Sequence, residues 1–157
     1  MDKKKLKSEE IFKSAFENHK KNNLQVAANL YKEAIKQNPV HVNSLFYLGG
    51  LLAQKKFFNQ AKKLFEKVIQ INPEYPSAND NLSAIYKMLA SLSSKKGKLL
   101  EAKFFFEKAL VLTPNNLEVT HGYGVLLLKL NQHSKGLNYI KKGTSFIRFS
   151  PENYKII

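Results

Sequence analysis

Cysteine is absent from the 157 residues, which removes disulfides, Cys-bearing zinc sites and thiol nucleophiles and lends no support to an oxidising compartment. Acidic residues are scarce: 12 Asp and Glu stand against 26 Lys and Arg, a formal net charge of +14, and Lys supplies 25 of the 26 cations. No run approaches the roughly 18 apolar residues of a membrane span, and the N-terminal MDKKKLKSEEIFK lacks an apolar stretch of signal-peptide length. A cytoplasmic address is the expectation. Tryptophan is missing as well. What is present is a 43% hydrophobic fraction, enough for one continuous core in a chain of single-domain size.

The apolar residues are organised by repetition. A skeleton of small, aromatic or branched, small, then proline recurs with spacings of 4, 3 and 5. Its copies are Ala27, Tyr31, Ala34, Pro39; Ala61, Phe65, Val68, Pro73; and Ala102, Phe106, Ala109, Pro114. A degenerate fourth copy reads Gly136, Ile140, Gly143, with proline delayed to Pro151. Upstream of a copy lies a second apolar set at helical spacing, as in Leu45, Leu48, Gly49, Leu52 and Thr120, Tyr123, Gly124, Leu127, so each unit reads as a pair of helices. Small residues let paired helices approach, the aromatic fills the space beside them, and proline stops the second helix. Polar turns, Lys21-Asn22-Asn23, Lys55-Lys56-Phe57 and Asn131-Gln132-His133, separate the helices.

This pattern resembles the tetratricopeptide repeat family, most closely in NPVHVNSLFYLGGLLAQKKFFNQAKKLFEKVIQINP, where Leu48-Gly49 stands at the family's Leu-Gly pair. Leu45 replaces the frequent Trp, and Ser14 and Asn18 fall on positions that are usually apolar. The resemblance implies an all-α, right-handed α-solenoid of four helix-turn-helix units within a single domain, at 8–41, 42–75, 76–116 and 117–150, with a tail at 151–157. The third unit is longer by seven residues, expected between Lys87 and Gly97, either as an extended helix or as a Ser- and Lys-rich loop. Seven residues are nearly two turns, so a longer helix keeps its apolar face in phase. A polar capping helix is not evident; instead Phe146, Ile147, Phe149, Tyr154, Ile156 and Ile157 follow in quick succession. This tail is expected to fold over the open end or to serve as an assembly surface, through which copies could join head to tail. The chain could also be part of a larger fused protein.

In the family the first helix of each pair lines a ligand groove. That mapping nominates Phe12, Phe16, Asn43, Phe46, Tyr47, Gln54, Asp80, Asn81, Lys87, Met88, His121 and Val125 as the peptide groove. Aromatics on a preformed surface suit an apolar or amphipathic segment of a protein partner, although Phe12 and Phe16 have a competing reading as core. Family members that grip acidic C-terminal peptides use Lys, Arg and Asn at set places. Here Phe12, Phe16, Tyr47 and Ser77 occupy four of them and only Asn81 is useful, so a carboxylate clamp is not expected.

The leading reading is a non-catalytic protein-interaction scaffold with no cofactor. The alternative is a basic scaffold that holds nucleic acid, another anionic polymer or a membrane surface through lysines such as Lys32, Lys36, Lys62, Lys63, Lys67, Lys103, Lys108, Lys141 and Lys142 on the second helices. Fifteen Asn accompany the 25 Lys, a bias that AT-rich coding produces without any function. The four histidines, His19, His41, His121 and His133, show no ligand spacing, and Asp80 and Glu118 have no sequence-level partner to make an acid and base pair. His19 and His41 read as solvated or capping residues.

Overall fold

The computed structural model describes residues 3–144, 147–149 and 154–156. Eight helices are found among the described residues: α1 (Lys3–Lys20), α2 (Leu24–Gln37), α3 (Val42–Gln54), α4 (Phe58–Ile71), α5 (Ala78–Lys95), α6 (Leu99–Leu112), α7 (Leu117–Lys129) and α8 (His133–Gly143). Their ends follow from local chemistry. Asn38, Asn72 and Thr113, each just before proline, leave the helical conformation while their N–H groups still donate to the carbonyls of Ala34, Val68 and Ala109. At the starts of α3 and α7, His41 Nδ1 and Asn116 Oδ1 accept from the amides of Ser44 and Val119 at 3.2 and 3.1 Å.

Apart from the prolines and Gly143, the skeleton residues are buried. Ala27, Tyr31, Ala34, Ala61, Phe65, Val68, Ala102, Phe106, Ala109 and Ile140 are all buried, and so are the small residues of the facing helices, Ala15, Gly49, Ala90 and Gly124. Ala15 does for α1 what the exposed Ser14 beside it does not.

Each helix pair turns on one residue in the left-handed conformation: Asn22 (φ 61°), Lys56 (φ 63°), Gly97 (φ 75°) and Asn131 (φ 58°). These mark the register, because α2, α4, α6 and α8 each begin two residues later. The marker corrects the expected place of the seven extra residues. Helix α5, 18 residues against 13 for α3 and α7, ends at the same distance from its turn as they do, so its surplus lies at its start. The extension occupies the segment before Ser83, not the stretch between Lys87 and Gly97, and within α5 it is helical. Ser77, also left-handed at φ 58°, precedes it.

The chain divides into two compact units, Met1–Asn81 and Leu82–Ile157. The first has one cluster around Ala15, Ala27, Ala28, Tyr31, Leu48 and Leu51 and another around Leu45, Val68 and Ala78. In the second, α7 and α8 cross almost backbone to backbone. A β-carbon added to Gly124 would lie 2.8 Å from the Ile140 nitrogen and 2.9 Å from the Gly136 carbonyl oxygen; one on Gly143 would lie 2.6 Å from the His121 nitrogen. Beyond α8, strands β1 (Ile147–Phe149) and β2 (Tyr154–Ile156) pair antiparallel, Ile147 with Ile156 and Phe149 with Tyr154. Four of the tail residues expected to cap or assemble thus lie in a hairpin, while Phe146 and Ile157 fall outside the described residues.

Candidate interaction surface

Helices α1 and α3 of the first unit carry a connected set of rings. One turn of α1 separates Phe12 from Phe16, with centroids 5.9 Å apart. Tyr47 sits 5.9 Å from Phe12, 5.1 Å from Phe16 and 5.8 Å from Tyr31, onto which it stacks with an interplanar angle of 14°. Phe46 meets Tyr47 edge-on and continues the array to Phe65 and Tyr75, at 5.7 and 4.8 Å. The Tyr75 hydroxyl donates to Asn43 Oδ1 at 2.8 Å. Of the nominated residues in this unit, Phe12, Phe16, Asn43, Phe46 and Tyr47 therefore converge on one array, and Gln54 is exposed at the end of α3.

These side chains are half-buried rather than displayed. Phe12 and Tyr47 pack against the cluster around Ala15 and Tyr31, and Phe46 against Leu45, Val68 and Ala78. Phe12, Phe46 and Tyr47 each divide their surface between core and solvent, so substitution at Phe46 or Tyr47 tests packing along with binding. His19 is not simply solvated: its Nδ1 lies 3.2 Å from the Tyr31 hydroxyl and its ring meets Tyr47 edge-on. His41, besides capping α3, directs Nε2 to Glu9 Oε2 at 3.0 Å. Because Nδ1 accepts from Ser44, the neutral ring carries its proton on Nε2 and donates it to Glu9.

Burial raises three tyrosines above their ordinary value. Tyr31 and Tyr75 are pushed up by desolvation, then by Tyr47; Tyr123 is raised by desolvation, then by its hydrogen bond to Glu107 at 2.8 Å. The folded state thus holds these protons more tightly than the unfolded chain. Their contribution is fully present below the unfolded value near 10 and is lost as pH rises through the higher folded values. Titration in alkali is expected to show late tyrosinate absorbance appearing together with loss of helical circular dichroism, and Tyr31→Phe should shift that transition to higher pH. Early ionisation of these tyrosines with helix intact would contradict the burial argument.

The nominated residues of the third and fourth pairs behave differently. Asp80 is exposed and Asn81 half-buried, both in the extension of α5. The turn-based register instead makes Ala84, Lys87, Met88 and Ser91 the counterparts of Asn43, Phe46, Tyr47 and Gly50. With that shift the third pair supplies Ala84 and Met88 at the two clamp places read above as Ser77 and Asn81, neither an amide nor a cation. Lys87 forms an ion pair with Glu118, which holds that carboxyl below its usual range by hydrogen bond and charge. Exposed Met88 lies one residue further along α5. His121 is half-buried, and Val125 lines a shallow cavity of about 180 Å³ with Ser91, Lys95, Gly122 and Lys129. This face is small and basic where that of the first unit is aromatic. Among the described residues no group of three or more His, Cys, Asp and Glu is placed to hold a metal ion, and no helix is long and apolar enough to cross a membrane.

Residues 42–75 and 83–116 match the model of the tetratricopeptide repeat. The chain carries tetratricopeptide repeats. The second match begins at Ser83, the position at which the turn register starts the third tetratricopeptide unit. Over 133 residues the chain is 26% identical to the BBSome complex member BBS4 of Bos taurus, covering 85% of this chain and 24% of that protein; it spans about a quarter of the curated relative it matches. Among solved structures, MamA AMB-1 superposes with a TM-score of 0.63 at 21% identity, over 85% of this chain and 69% of that one. Pseudomonas aeruginosa PilF gives 0.57 at 22% identity, over 87% and 60% respectively. At these identities the structural likeness is one of fold. Tetratricopeptide repeat proteins are typically protein-interaction scaffolds, and this chain shares their helical repeat architecture.

Proposed function

We propose that the chain is a non-catalytic scaffold that binds a peptide or helix of a protein partner on the face built by α1 and α3. The observation that carries this reading is the aromatic array on α1 and α3, whose half-buried rings pack on the core and on one another while part of their surface stays open to solvent. Rigid aromatic anchors lose little entropy on binding and bury large apolar area, the properties of interface hot spots. The relative BBS4 is itself a member of a complex, which supports a partner-binding role.

Photo-crosslinking tests the location. A benzophenone amino acid in place of Phe16 or Gln54 is expected to yield partner adducts in cells, and the same probe in place of Lys63, on α4, to yield none. Adducts from Lys63 alone would move the binding face to the second helices. There, α8 bears Lys135, Lys141 and Lys142 with no carboxylate, which favours adhesion of an anionic polymer or membrane as a second reading.

A further inference from the structure

The second helix of each pair should be apolar inward and polar outward, and α6 breaks that rule. Leu100, Phe104 and Val111 are 76, 53 and 77% exposed. They fall at spacings of four and seven and form one outward stripe, about 16 Å from end to end at 1.5 Å per residue. The other pairs carry polar residues at the same places: Gln25, Asn59 and Ser134 where α6 has Leu100; Asn29, Lys63 and Asn138 where it has Phe104; Lys36 and Gln70 where it has Val111. Scattered exposed leucines are ordinary, but an ordered stripe confined to one repeat is not.

Two further observations lie beside it. A cavity of about 490 Å³ opens between the end of α6, the start of α7 and α8, lined by Leu110, Pro114, Leu117, Thr120, Tyr139 and Lys142 among others. Cations border the apolar surface: Lys108 Nζ lies 5.6 Å from the Phe104 ring centre and Lys142 Nζ 5.7 Å from that of Tyr139. Helices α6 and α8 carry two carboxylates, Glu101 and Glu107, and Glu107 is already engaged by Tyr123 and Lys103.

We propose that the outward face of α6 and α8 is a second docking surface, separate from the aromatic face of α1 and α3, and that its occupant is an acidic amphipathic helix of a protein partner. The stripe matches about three turns of such a helix, the cavity takes one of its apolar side chains, and the bordering ammonium groups meet its flanking carboxylates. A second copy of the chain is disfavoured because two +14 molecules repel. A bilayer would match the stripe and the lysines but has no single side chain to seat in the cavity.

The probe is a fluorescent synthetic helix with Leu at i, i+4, i+7 and i+11 and Glu on both flanks, compared with its Lys-flanked counterpart by anisotropy. The Glu-flanked helix is expected to bind, more weakly as salt rises, and the Lys-flanked one not to bind. Combining Leu100→Asn, Phe104→Asn and Val111→Gln, residues of types that the other pairs carry there, should weaken binding at least about tenfold, the loss of roughly one hot-spot residue. The melting temperature should hold. Phe16→Ala should leave this binding unchanged, so failure here is distinct from failure of the α1 and α3 face. The proposal is overturned by no binding up to millimolar peptide, by equal binding of the triple variant, or by equal binding of the Lys-flanked helix. Binding of phosphatidylserine vesicles without the peptide, or concentration-dependent self-association abolished by the triple variant, would overturn it in favour of a membrane or a second copy.

Discussion

Alanine at Gly143 is expected to destabilise the last helix pair, while alanine at Gly50 raises the melting temperature. Both changes improve helix propensity by about 1 kcal/mol. At Gly50 the new methyl meets nothing within 4 Å, so that gain survives. At Gly143 it would lie 2.6 Å from the His121 nitrogen, 2.8 Å from the Leu117 carbonyl oxygen and 2.9 Å from the His121 α-carbon, all backbone atoms that no rotamer change can move. Gly124 is in the same position against the Ile140 nitrogen and the Gly136 carbonyl. Overpacking that shifts backbone costs about 1–3 kcal/mol, occasionally more, and so outweighs the propensity term. Urea denaturation followed by circular dichroism should place Gly143→Ala and Gly124→Ala below the parent and Gly50→Ala above it. A Gly143→Ala protein as stable as the parent would mean that α7 and α8 do not approach as described.

Tyr31→Ala should cost about 3–5 kcal/mol, a large share of the roughly 5–15 kcal/mol that holds a domain together. Tyr31 is wholly buried, and its ring has Phe12, His19 and Tyr47 within 6.0 Å of its centre. Its removal opens a cavity where two helix pairs meet and withdraws the support under Tyr47. Tyr31→Phe keeps the ring and loses only the contact with His19, a hydrogen bond worth about 0.5–1.5 kcal/mol. Phe104→Asn serves as the comparison, an aromatic of similar size that is 53% exposed. Should Tyr31→Ala and Phe104→Asn melt within a degree or two of each other, the assignment of Tyr31 to the core would be wrong.

The helix pairs were legible because the 4, 3, 5 skeleton records a packing requirement: small where backbones cross, bulky one turn later, proline at the stop. The place of the extra residues was not. Leu82, Ile85, Tyr86, Leu89 and Leu92 keep a helical period throughout, and a shift of seven residues nearly restores the phase, so side-chain pattern alone cannot choose between the ends of α5. The deciding signal was in the turn, where Gly97 takes the left-handed place that Lys56 fills one unit earlier. The same ambiguity put Asp80 and Asn81 among the groove residues and left out Ser91. Helical spacing could identify Phe12, Phe16, Phe46 and Tyr47 as neighbours on α1 and α3, but how deeply each ring enters the core depends on the contact between pairs. The stripe on α6 was within reach: setting Leu100, Phe104 and Val111 beside Asn59, Lys63 and Gln70 exposes it without coordinates.

The glycine crossing of α7 and α8 has a consequence for the cavity that opens against α6. Two of its walls, Leu117 and Thr120 on α7 and Tyr139 and Lys142 on α8, stand on helices whose separation is fixed by contact between main chains rather than by rotatable side chains. Such a joint has little slack to lose. A guest entering there would find the walls already in place, and less of its binding free energy would be spent on freezing the host.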